Sequence, residues 1–121
     1  MQFVVSWRDL IVWRKAHQVA LVVCRVANSL PAPWQVGLTS QLIRASISVP
    51  TNIAEGKGRN SVAEFRQHLV VTRGSLEETR YLMLLARDLQ LVAQEPYAAI
   101  EANLTEVSKL LNAILRSLRK T

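Results

Sequence analysis

Apolar residues along the chain fall into four long stretches with helical spacing, separated by short connections. The first is expected to start near Ser6 or Trp7, where Ser6 and Asp9 stand in capping-box spacing. It runs to about Asn28 and is stopped by Leu-Pro-Ala-Pro at 30–33. Leu10, Ile11, Val12, Trp13, Val19, Leu21, Val22, Val23 and Val26 cover most of its circumference. A bundle helix needs only one apolar stripe. The excess predicts a second buried face, a subunit interface drawn from Leu10, Trp13, Val19, Val22, Val23 and Val26.

The second stretch, roughly 35–54, keeps Leu38, Leu42, Ala45, Val49 and Ile53 on one face. Pro50 lies inside it and predicts a kink, because it removes a backbone bond and crowds the carbonyl of Ser46. Glu-Gly-Lys-Gly-Arg at 55–59 should end it, with Gly56 and Gly58 supplying positive φ for a tight turn. The third stretch opens with a capping box, Ser61 and Glu64, and continues to 89 or 90. In it Val62, Leu69, Leu76 and Met83 repeat every seven residues, with Phe65, Thr72, Thr79 and Ala86 as companions. The fourth opens at Glu95-Pro96, and Ile100, Leu104, Val107, Leu111, Ile114 and Leu118 alternate steps of three and four. Short connections between long helices predict one all-α domain over 1–121, an antiparallel up-down-up-down four-helix bundle.

Composition sharpens this picture. Half of the 121 residues are apolar and a fifth are charged, enough for a packed core. The longest apolar run, Val-Ala-Leu-Val-Val-Cys at 19–24, is far too short to span a bilayer, and no signal pattern leads the chain. The single Cys24 fits a reducing compartment and reads as a small buried hydrophobe. A cytoplasmic location is therefore expected. The net charge of +6, from 15 Lys+Arg against 9 Asp+Glu, points to nucleic acid, an anionic membrane or acidic protein, or simply to solubility.

Arg59, Arg66, Arg73, Arg80 and Arg87 recur every seven residues. A helix drifts only ~20° per heptad, so the last four form a nearly straight stripe beside the apolar seam. They could pair with carboxylates such as Glu77, or act as a ladder of forks for phosphate. Glu64 and His68 share a helical face, but two histidines in the whole chain do not furnish a di-iron bundle. No nucleophile elbow, phosphate loop or zinc spacing is present, so neither cofactor nor catalysis is expected. Trp7 and Trp34 read as staples of helix ends and Trp13 as core or interface.

Trp-Arg-Asp-Leu-Ile-Val-Trp-Arg-Lys-Ala at 7–16, Gly-Leu-Thr-Ser-Gln-Leu at 37–42 and Ser-Val-Pro-Thr-Asn-Ile-Ala-Glu-Gly-Lys-Gly-Arg at 48–59 resemble the signature of the 23S ribosomal RNA intervening-sequence proteins. Glu-Phe at 64–65 and Gly-Ser-Leu-Glu-Glu at 74–78 continue it, so Asn52, Glu55, Gly56, Gly58 and Arg59 match the core motif. Thr51, and Thr72-Arg73 before Gly74, depart from the usual pattern. The resemblance implies a four-helix bundle that assembles into a homopentameric ring. A more distant relative, the accessory protein of diversity-generating retroelements, works with a reverse transcriptase and nucleic acid. Two functions follow: a ribonucleoprotein accessory module binding RNA or DNA backbone, or a protein-interaction scaffold without a nucleic-acid role.

Overall fold

The computed structural model describes residues 6–119, which form four α-helices and no strand. They are α1 (Ile11–Asn28), α2 (Ser40–Lys57), α3 (Val62–Asp88) and α4 (Gln94–Leu118). Each helix packs on its neighbours in the chain, and α1 closes on α4. Among the described residues no helix is long and apolar enough to cross a membrane.

The first helix starts later than its pattern suggests. The Ser6–Asp9 capping box forms, but it closes a 3₁₀ turn, Trp7–Asp9, and Leu10 is extended before α1 begins at Ile11. Ser29 ends α1 by bonding the carbonyl of Val26, at 2.7 Å, just before Pro31. The entry to α2 is likewise irregular, a 3₁₀ turn at Ala32–Trp34 followed by a wide π turn at Gln35–Thr39. Thr39 ties that turn to α1 through the carbonyl of Ala27, at 2.9 Å. Beyond it, α2 continues through Pro50 without a break.

No glycine has positive φ. Gly58 caps α2 at φ −74°, an ordinary helical value, so the expectation of left-handed glycines is corrected. The reason for Gly56 is close approach: a Cβ there would lie 2.5 Å from Cβ of His68 and 3.2 Å from Cδ1 of Phe65. Among the described residues the left-handed one is Gln90, at φ 62°. It sits in a Schellman turn, in which Gln90 N donates to Arg87 O at 2.8 Å and Leu91 N to Ala86 O at 2.9 Å.

The core is the predicted set of seams, with local departures. Leu42, Ile53, Leu69, Leu76, Met83, Leu104 and Leu111 are fully buried at its centre. Val62, the expected first member of the heptad row, is half exposed, because α3 begins there beyond the body of the core. Thr72 and Thr79 are buried without orphan hydroxyls, since each bonds back to the carbonyl four residues earlier.

Candidate nucleic-acid interface

The heptad arginines do not share one fate. Arg80 lies at the α3–α4 seam, its guanidinium bonded to Glu101 Oε1 through Nε at 3.1 Å and Nη2 at 2.7 Å, and to Glu77 at 3.3 Å. Burial alone would lower its pKa, but the hydrogen bond and charge of Glu101, with Glu77 behind, outweigh burial and raise it above the ordinary arginine value. Arg87 bonds Asp88 at 2.9 Å and lies 4.6 Å from the ring centre of Tyr97. Arg59 sits in the corner after α2, 3.5 Å from Glu55 and 4.0 Å from Glu64, with all three side chains about half exposed. Arg66 and Arg73 are exposed on α3, and neither has a carboxylate within ion-pair distance among the described residues.

The motif residues converge on the α2–α3 seam. Asn52 donates through Nδ2 to the carbonyl of Ser48 at 2.9 Å and to its hydroxyl at 3.0 Å. That fixes the amide, so its Oδ1 faces His68 and accepts from Nδ1 at 3.1 Å. The Ser48 hydroxyl also shares a hydrogen bond with the Ser75 hydroxyl at 2.8 Å. Gly56 one turn further along α2 lets His68 come this close. The segment 52–56 is thus a clasp between helices, and Glu64 does not join His68 in it. Among the described residues no cluster of His, Cys, Asp and Glu is arranged to hold a metal ion.

Two open hollows flank the clasp. One of about 480 Å³ is lined by Asn52, Arg66, Gln67, His68, Val70 and Val71. The other, about 380 Å³, is lined by Gln41, Arg44, Ser48, Ser75 and Glu78 among others. Sequence spacing on α3 alone did not place Asn52 beside Arg66, because it is the α2–α3 register that brings them together.

The residues expected at a subunit interface divide. Val19 and Val23 are buried within the subunit and have no surface to offer. Leu10, Trp13 and Val26 are half buried against the core, and Val22 is exposed. Exposed apolar side chains that the sequence left outside that set include Ile11 on α1 and Ile47 on α2. Between α1 and α2 runs an apolar groove of about 660 Å³ lined by Trp7, Trp13, His17, Leu21, Cys24 and Ile47 among others. Trp13 stacks on His17 at 5.0 Å and meets Trp7 edge-on at 4.7 Å, so Trp7 and Trp13 form a groove wall.

Comparison with known proteins places the chain among similar sequences and structures. A family model described as 23S rRNA-intervening sequence protein matches residues 8–113. A crystal structure of a protein with unknown function, from the S23 ribosomal protein family of Bacteroides thetaiotaomicron VPI-5482, is similar with a TM-score of 0.81 and 25% identity. The similarity covers 88% of this chain and 96% of that one. Among curated proteins, none matches.

Proposed function

The chain belongs to the 23S rRNA-intervening sequence protein family, and from that premise we propose that it is a non-catalytic nucleic-acid-binding bundle. In this reading it is cytoplasmic, its helices alternate up and down, and it assembles into a homopentameric ring. It holds RNA or DNA by the phosphate backbone, as an accessory to a ribonucleoprotein or to an enzyme such as a reverse transcriptase. The alternating order is supported by the pairs Ser48–Ser75 and Asn52–His68, whose numbers rise on α2 as they fall on α3.

The observation that carries the function is the division of the arginine row. Arg80 and Arg87 are occupied by carboxylates, whereas Arg66 and Arg73 stand exposed and, among the described residues, unpaired. An unpaired guanidinium keeps its fork free for phosphate, and five subunits at +6 would give a ring of +30. Binding to mixed-sequence RNA and DNA is expected at low salt, falling steeply as salt rises. Arg66→Gln or Arg73→Gln should weaken all sequences alike and make the salt slope shallower by about 0.7–0.9 per lost phosphate contact. Arg80→Gln should leave the slope unchanged. Absence of binding at low salt would overturn the proposal. The apolar α1–α2 groove favours the second reading, a protein scaffold, which predicts no binding to either nucleic acid.

A further inference from the structure

The seams of the bundle are closed by different chemistry. Lys15 and Glu106 bridge α1 and α4, and Arg80 and Glu101 bridge α3 and α4. The α2–α3 seam is instead closed by side-chain hydrogen bonds, Ser48 to Ser75 and Asn52 to His68. The two hollows follow one another along the outside of the pair, one at Ser48 and Ser75 and the other at Asn52 and His68, and together mark an α2–α3 furrow. Arg66 stands at one end and Arg44 at the other, both exposed and both without an ion-pair partner among the described residues. Glu78 is the one carboxylate lining either hollow.

We propose that this α2–α3 furrow seats a single nucleic-acid strand, with phosphates held by Arg66 and Arg44 and the path between them set by hydrogen-bonding side chains. The proposal rests on the nucleic-acid reading above and gives it a location that the α3 arginine row does not. Three features select the occupant. Helix axes packed ~8–10 Å apart leave a surface furrow narrower than that spacing, too narrow for a duplex to enter. From Asn52 to Gln41 the furrow is eleven residues of helix, ~16 Å, the length of about five stacked nucleotides. Beside Arg66, Val70 and Val71 are about half exposed and offer apolar surface to bases that a duplex would keep stacked inside. Gln67 and Gln41 on the furrow walls add neutral donors suited to phosphate or base edges.

The test is fluorescence anisotropy with a labelled ten-nucleotide mixed-sequence RNA, the same DNA, a duplex of that length and a poly-glutamate peptide. The single strands should bind more tightly than the duplex. The double variant Arg44→Gln/Arg66→Gln should bind them at least about tenfold more weakly, with a log–log salt slope shallower by about 1.4. Arg25→Gln/Arg116→Gln removes the same charge from exposed sites on α1 and α4 and should cost far less. Gln67→Glu keeps every arginine yet places a negative charge in the furrow. It should weaken binding more than Gln18→Glu on α1, which guards against misfolding of the double variant. If the furrow variants and their charge-matched controls behave alike while RNA still binds, the furrow is overturned and the general function stands. Tighter binding of poly-glutamate than of RNA, sensitive to the same variants, would overturn the nucleic-acid occupant. No binding of any polyanion would sink both readings.

Discussion

At Gly56 the backbone of α2 passes so close to α3 that a methyl group would meet Cβ of His68 at 2.5 Å and Cγ at 3.1 Å. Neither atom is the free end of a flexible chain, so Gly56→Ala has to push the helices apart. Thermal or denaturant unfolding should show a loss of ~1–3 kcal/mol, the usual cost of overpacking. Gly74 makes the opposite case, since a Cβ there meets nothing within 4 Å. Gly74→Ala removes the entropy cost of a mid-helix glycine and should gain ~0.5–1 kcal/mol in the same assay. A pair of alanine variants with equal effects would refute the close-approach argument. The sequence marks Gly56 as special but gives the wrong reason, because a positive φ is a local property whereas the arrival of His68 is set by another helix. Gln90 is the converse. Its side chain carries no turn signal, and the left-handed conformation is imposed by the two bonds of the Schellman turn.

Between helices, the apolar periodicity was readable and the polar pairing was not. Leu42, Ala45, Val49 and Ile53 on α2, and Ile100, Leu104, Val107 and Leu111 on α4, are buried as their spacing demands. A capping box, however, satisfies a 3₁₀ turn as well as an α-helix, so Ser6 and Asp9 did not locate the start of α1. Heptad spacing likewise puts Arg66, Arg73 and Arg80 on one face without saying what lies opposite. Glu101 answers Arg80, but seven residues further along α4 stands the uncharged Ser108. The row thus holds both locked cations and cations that have no ion pair among the described residues. For the locked member, a double-mutant cycle of Arg80→Gln and Glu101→Gln should give a coupling of ~0.5–2 kcal/mol, as expected for neighbours sharing hydrogen bonds at 29% exposure each. The cycle Arg59→Gln with Glu55→Gln, about half exposed at 3.5 Å, should fall at or below ~1 kcal/mol. Additivity at Arg80 and Glu101 would mean that the seam does not depend on their ion pair.

On the scale of the whole molecule, the exposed apolar groups of α1 bear on the proposed ring. At 100° per residue, the outward line of α1 is Arg14, Gln18 and Arg25. Leu21 lies to one side of it, with the α1–α2 groove, and Ile11 and Val22 lie to the other. A two-fold contact uses one self-complementary patch, whereas a cyclic ring needs two different patches on every subunit. Light scattering should therefore give about 68 kDa, five times 13.6 kDa, if the proposed ring is formed. Leu21→Glu alone and Ile11→Glu alone should each disperse it, because every contact in a ring uses both patches. Mixing the two variants is the sharper measurement. Each retains the patch that the other has lost, so one contact per pair can form and a species near 27 kDa should appear. A two-fold dimer would respond to one of the substitutions and ignore the other, with nothing gained on mixing. The furrow between α2 and α3 stays clear of both patches, so RNA affinity per subunit should survive the dispersal while the avidity of linked sites is lost.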